Sequence, residues 1–346
     1  MSTRPHHLRP LCVVLGLLLV AACAPGSAPE DEAADEGGAG GAEVPEFLSI
    51  ATGGTGGAYY PIGGAMGNML ADEIEGVSNA TAETTGGSVE NIRLIHQGRA
   101  EMALAQGDAV YLGCRGEGDF DEPQNIATVA LPYVNVLQVV TTEGTGIESF
   151  EDLAGKRVSV GDAGSATEVF MRQVIEFLGM SYDDFGDTQR LPFDGQTTAI
   201  RNGQLDAGTW VVAPGVSSIQ DLASSEPIRI LALDDDQLAD FQEEYPYYLG
   251  TDLEAGTYQG LDEPITLPST WNSVLVPKDM DEEFVYQVAT ALHENVDALA
   301  SGHPAAEALA PENVENALCP LHPGAMRYFE EVGVEVPEDM RPDAAG

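Results

Sequence analysis

From residue 47 onward, apolar positions alternate between short runs and stretches with helical spacing. Phe47 to Thr52 reads as a buried strand and Gly53 to Gly57 as a tight loop. Between Tyr60 and Ile74, the residues Ile62, Ala65, Met66, Met69 and Leu70 recur at the period of a helix. Ala80 to Thr85 is a further strand, and Ser88 opens a helix carrying Val89, Ile92, Leu94 and Ile95. Met102 to Ala105 is a strand, Asp108 is expected to cap the next turn, and Ile126 to Leu131 and Val134 to Thr141 are strands. The pattern then repeats. A short helix, Ser149 to Leu153, precedes the strand Arg157 to Val160, the loop Gly161 to Thr167 and the helix Glu168 to Leu178. Thr197 to Asn202 and Val216 to Ala223 read as helices, and Leu205 to Trp210 and Ile228 to Ala232 as strands. An irregular stretch runs to about Leu267, and Asn272 to Pro277 is a strand. Asp281 to Ala300 is one long amphipathic helix with Asp281, Glu282 and Glu283 in its first turn. This alternation predicts an α/β fold with a largely parallel sheet. Two units of similar order and a helical return fit a two-lobed clamshell with a cleft between the lobes.

The segment before residue 47 has a different pattern. Met1 to Pro10 carries Arg4 and Arg9 and no acid, and Leu11 to Ala22 is an apolar run too short to span a bilayer. It ends in Val20-Ala21-Ala22-Cys23, which resembles the lipobox of bacterial lipoproteins. Residues 1–22 are therefore expected to be a signal peptide removed before Cys23, with Cys23 carrying the lipid. The alternative is an ordinary secretory peptide with Cys23 incidental. Residues 23–46, rich in Ala, Gly, Pro, Glu and Asp and free of aromatics until Phe47, read as a flexible acidic tether. No later run is long and apolar enough to cross a membrane, which leaves the acyl chains as the expected anchor on the outer side of the cell membrane.

Charge narrows the partners. The chain has 14 Lys and Arg against 57 Asp and Glu, a formal net charge of −43. Only two lysines occur, Lys156 and Lys278. Nucleic acid and anionic lipid surfaces are excluded by that balance, and an anionic ligand would have to be held by local donors against the long-range field. With Cys12 in the signal and Cys23 lipidated, Cys114 and Cys319 remain as a pair. In an oxidising compartment they are expected to form a disulfide that ties the C-terminal region to the first lobe, with two separate buried thiols as the alternative. Neither has a partner at metal-ligand spacing, so no metal or cofactor is expected.

Two loops carry candidate chemistry. Gly53 to Gly57 and Gly161 to Thr167 each end a strand and open a helix, where unpaired N–H groups and the helix dipole favour carboxylate or phosphate. Ser165 and Thr167 add hydroxyl donors. Plain helix capping explains one such loop; two at matching places suggest a shared anion site at the carboxyl ends of the strands. The glycine spacing does not fit a dinucleotide fingerprint, and no Gly-Lys-Ser/Thr phosphate loop occurs. No histidine lies in a His-Glu-x-x-His spacing, and no Gly-x-Ser-x-Gly elbow is present, so no enzymatic activity is expected. His322 reads as a turn or cap residue.

The run Ile50 to Pro61, including Gly53-Gly54-Thr55-Gly56-Gly57-Ala58-Tyr59-Tyr60, resembles the N-terminal signature of the TAXI solute-binding proteins of TRAP transporters. Thr85 to Asn91, Gln106-Gly107-Asp108, Asp152 to Val158, Gly164 to Glu168 and Asn202 to Ala207 are similar in the same order. Tyr245 to Tyr248, Ala255 to Tyr258 and Pro320 to Ala325 extend the likeness to about residue 335. The resemblance implies a type II-like periplasmic-binding-protein clamshell with two crossover strands at its hinge. Lobe 1 would comprise residues 47–141 and 271–340, and lobe 2 residues 142–270. It implies a small carboxylate ligand (glutamate, a related amino acid or a dicarboxylate) and delivery by a monomeric receptor to a sodium-driven TRAP membrane permease. Gly54, Thr55 and Tyr59 would line the first loop, with Thr85, Gly86, Ser88 and Gln106 beside it, and Ser165, Ala166 and Thr167 would hold a carboxylate from lobe 2. Ala166 departs from the family, which often has Gly there. Either Tyr59 or Tyr60 would face the cleft, and Trp210 would cap it or sit in the core. An ABC-type receptor for a sulfonate, a phosphonate or a thiamine precursor shares the fold and is the rival expectation.

Overall fold

The sheet begins with β1 (Phe47–Ala51), which lies between β2 (Asn79–Glu83) and β3 (Met102–Gln106), parallel to both. The structure, a computed structural model, describes residues 43–342; the expected signal peptide, the lipidation site Cys23 and most of the acidic tether lie outside them. Each of these strands feeds a helix: α1 (Tyr59–Glu73), α2 (Ser88–His96) and α3 (Gly107–Arg115). Ile62, Met66, Met69 and Leu70 make the buried stripe of α1. Gly63 and Gly67 let this helix press against the sheet, since a Cβ on Gly67 would stand 2.6 Å from the Ala80 carbonyl oxygen. Asp108 lies inside the first turn of α3, and Gln106 occupies the capping position.

β4 (Ala127–Ala130) and β5 (Val134–Thr142) follow. β6 (Arg157–Ser159) leads into α4 (Ala166–Phe177), and β7 (Asp187–Gln189), parallel to β6, into α5 (Phe193–Arg201). β8 (Ala207–Val212) is parallel to β6 and antiparallel to β5; α6 (Ser217–Ser225) and β9 (Ile228–Leu231) come next. The stretch expected to be irregular contains α7 (Asp235–Glu244) and β10 (Leu249–Leu253). Only Leu238 and Phe241 of α7 are buried, so its apolar signal is weak, and the helix starts from a capping box between Asp234 and Gln237. β11 (Ile265–Val276) is longer than expected, because its buried centre is polar: Ser269, Thr270, Asn272 and Ser273.

β11 connects the two halves. Its first part pairs with β10 and β5, and from Asn272 on it pairs with β3 and β4. The change of sheet falls between Trp271, opposite Val134, and Asn272, opposite Gln106. β5 bonds to β8 and β9 along its length, which puts Val136 to Thr141 in the second sheet. The expected helix over 281–300 is two helices, α8 (Glu282–Glu294) and α9 (Val296–Ala300). At the break Asn295 donates from its side chain to the Ala291 carbonyl and competes with the helical ladder. α10 (Pro323–Val332) packs on α8, and His322 caps it, with Nδ1 accepting from the Gly324 N–H at 3.2 Å. Cys114 and Cys319 are joined in a disulfide.

Candidate ligand site

Five helices begin at the carboxyl ends of parallel strands: α1, α2 and α3 in the first lobe, α4 and α5 in the second. Their N-termini converge on one chamber, bounded by Ala58 and Tyr59, Gly87 and Ser88, Gln106, Ser165 to Thr167, and Phe193. Tyr133 and Asn135 at the start of β5, and Val211 and Val212 at the end of β8, close its inner wall. The chamber measures about 60 Å³, which is room for several water-sized groups. A wider outer space of about 330 Å³ adjoins it through the shared walls Gly54, Gly86, Ser165 and Phe193.

The two lobes touch around this chamber. Glu90 N–H donates to the Gly164 carbonyl at 3.1 Å, and the Ser218 hydroxyl donates to the Gly56 carbonyl at 3.2 Å. Tyr248, in the second lobe, donates its phenolic proton to Asp108 Oδ2 at 2.9 Å. Arg172 and Asp119 pair across the surface at 2.9 Å.

The chemistry of the lining is that of dipoles. Among the described residues, no charged side chain borders the inner chamber. The N–H groups of Ser88, Ala166 and Thr167 have no hydrogen-bond partner among the described residues. Ser165 caps α4, its Oγ accepting from Glu168 N–H and donating to the Asp162 carbonyl, and so leaves the Ala166 and Thr167 amides free. Amides at a helix N-terminus are arranged to receive anionic oxygen. The outer rim is acidic, with Asp162 and Asp194 in its wall and Glu90 bonded to Gly86 N–H at 2.7 Å. Burial raises the Asp162 carboxyl, the Ala163 N–H opposes this, and Glu90 adds repulsion.

Behind the chamber Asp108 is fully buried, and desolvation pushes its carboxyl up to about 6 against hydrogen bonds from Tyr248, Ala109 and Gln106. The ordinary value is 3.8, so the folded protein holds this proton more tightly than the unfolded chain. Asp108 therefore costs stability at neutral pH, and the cost is relieved as pH falls through about 6. Between pH 7.5 and 5, wild type is expected to gain about 1.4 kcal/mol over Asp108→Asn in urea unfolding, a change of about tenfold in the folding equilibrium. An unchanged difference between the two proteins would refute this.

Of the expected site residues, Gly54, Tyr59, Gly86, Ser88, Gln106, Ser165, Ala166 and Thr167 border the inner chamber. Thr55 and Thr85 border the outer space. Tyr59 faces inward and Tyr60 is exposed. Trp210 is fully buried, stacked behind Phe193 at 6.3 Å between ring centroids, and does not border the chamber. Tyr133, Asn135 and Phe193 were not legible as site residues. The first two sit at the head of the apolar run of β5, where the one clue was a lone Asn among Val and Leu, and Phe193 precedes the place where α5 was expected to start.

A two-lobed α/β body, with helix N-termini from both lobes facing one chamber and strands crossing between sheets, is the periplasmic-binding-protein fold. The chain belongs to the NMT1-like family, which it matches over residues 50–333. Among solved structures it is similar to a protein of Bordetella bronchiseptica RB50, at 17% identity over 85% of this chain and 86% of that one, with a TM-score of 0.50. It is also similar to the periplasmic aliphatic sulphonate binding protein SsuA of Escherichia coli, at 14% identity, 86% and 96% coverage and a TM-score of 0.45. The alkanesulfonate-binding SsuA of Xanthomonas axonopodis pv. citri, bound to MOPS, gives 15% identity, 83% and 91% coverage and a TM-score of 0.44.

Proposed function

We propose that the protein is an extracytoplasmic receptor that closes its two lobes around a small carboxylate and delivers it to a membrane permease. The observation that carries this reading is the convergence of five helix N-termini, from both lobes, on a chamber bordered, among the described residues, by no charged side chain. Free amides there can hold a carboxylate, whereas the acidic rim repels an anion that approaches without finding them. The TAXI-like order of motifs supports a TRAP permease driven by a sodium gradient as the partner, and Cys23 as a lipid anchor that keeps the receptor at the membrane.

Thermal-shift and calorimetric screening of glutamate, glutamine, 2-oxoglutarate and C4 dicarboxylates tests the ligand class. A true ligand at a hundred times its Kd is expected to stabilise the fold by about 2.7 kcal/mol. No stabilisation by any of them would remove the carboxylate reading. Uptake with the permease should follow an imposed sodium gradient; dependence on ATP hydrolysis would instead identify an ABC-type partner.

A further inference from the structure

Two residues that border the chamber, Tyr133 and Asn135, carry buried polar atoms that no group among the described residues satisfies. Asn135 Oδ1 and the Tyr133 hydroxyl lack a hydrogen-bond partner among the described residues, on side chains 2% and 1% exposed. Leaving a buried polar group unpaired costs about 1–3 kcal/mol, so a guest that pairs with it is favoured by a comparable amount.

What the guest must bring is set by a relay of amides. Gln106 Nε2 faces both oxygens of Asp108, at 3.0 and 3.1 Å, and the Ala166 carbonyl at 3.4 Å. A backbone carbonyl can only accept, and Asp108 Oδ1 already accepts from the Ala109 N–H at 2.7 Å. The nitrogen of Gln106 therefore belongs on that side, and its Oε1 faces Asn135. Asn135 must answer with its own nitrogen, which donates to Gln106 Oε1 at 3.3 Å. That leaves Asn135 Oδ1 as an acceptor without a donor. The nearby Tyr59 hydroxyl cannot supply one, because it donates to Asn272 Oδ1 at 2.5 Å. Asn272 is itself held in that orientation by its Nδ2, which donates to the Tyr133 carbonyl at 3.0 Å.

Building on the carboxylate reading above, we infer that Asn135 selects a carboxylate that also carries a hydrogen-bond donor, an ammonium or hydroxyl group. A ligand with a keto or methylene group at that place is disfavoured. The carboxylate meets the amides of Ala166 and Thr167, and the donor meets Asn135 Oδ1. Asp108 is a positioning residue here; it acts on the guest only through Gln106 and Asn135. The sign of the preference comes from hydrogen-bond polarity alone, since an amide flipped at Asn135 would ask for an acceptor instead.

The test is calorimetric titration of the mature protein with matched ligands: glutamate against 2-oxoglutarate and glutarate, and lactate against pyruvate. In each set the donor-bearing member is expected to bind at least tenfold more tightly, a difference of about 1.4 kcal/mol. Asn135→Leu is expected to shrink that ratio to within about threefold. Equal or reversed affinities in the wild type overturn the inference, whatever the variant does, and leave the carboxylate reading standing. Binding by no member of any set overturns both.

Discussion

Gly86→Ala is expected to weaken ligand binding by about a hundredfold while leaving the unfolding midpoint of the ligand-free protein almost unchanged. A Cβ on Gly86 would stand 2.4 Å from the Ala163 carbonyl oxygen, across the gap between the lobes, and 3.0 Å from Glu90 Oε2. One methyl group thus acts as a wedge between the loop that opens α2 and the loop that opens α4. Ala163 is backbone in a loop that also donates the free amides of the site, so it cannot retreat without displacing them. Overpacking of this kind costs about 1–3 kcal/mol, and a hundredfold loss corresponds to about 2.7 kcal/mol. Each lobe can fold with the extra methyl group; only their approach is blocked. Gly64→Ala is the control, because a Cβ there has no atom within 4 Å. Calorimetry gives the affinities, and small-angle scattering should show the Gly86→Ala protein failing to contract on adding ligand. Unchanged affinity would mean that the lobes do not need to meet at Gly86.

The second large effect is expected from the disulfide. Cys114, near the end of α3, is bonded to Cys319, 205 residues later, and the whole second lobe lies inside the loop so closed. The chain-entropy relation gives about 5 kcal/mol for a loop of that length as an upper value. Cys319 is also fully buried, and its backbone carbonyl accepts from the Thr128 hydroxyl at 3.0 Å. The bond therefore fastens an ordered segment beside β4. Reduction, or the double change Cys114→Ala and Cys319→Ala, is expected to lower the melting temperature by roughly 10 °C, at about 2 °C per kcal/mol for a body of this size. Calorimetry with and without reductant measures it; superimposable traces would show that the bond adds nothing to stability. Neither cysteine borders the ligand chamber, so affinity measured below the transition should survive reduction.

Much of this arrangement is legible in the residues, because strand and helix periods are local and the site's loops are written in Gly, Ser and Thr. Gly53 to Gly57 and Gly161 to Thr167 can be read without a fold, since few other compositions let a backbone approach a guest. What stayed hidden was decided at long range. β11 did not read as a long strand because its buried Ser269, Thr270 and Asn272 are polar, and their partners lie on distant segments: Leu249, Tyr247 and Tyr133. The role of Asn135 depends on which way Gln106 points, and that in turn depends on Asp108 and on the carbonyl of Ala166 in the other lobe. Phe193 was missed for a simpler reason. The first turn of α5 is Phe193-Asp194-Gly195, a composition that reads as loop, and only the chamber shows that the aromatic ring faces inward.

β11 also governs how the molecule comes together during synthesis. A chain made from its N-terminus completes β3 and β5 long before Ile265 to Val276 exist; until then β3 waits with a bare edge of amides and carbonyls, and β5 with Val134 to Val136 unpaired on the edge that β9 covers further along. One late strand then fills both vacancies at once, so neither lobe matures ahead of the other. The two halves are expected to gain their rigidity together and to lose it in a single cooperative transition.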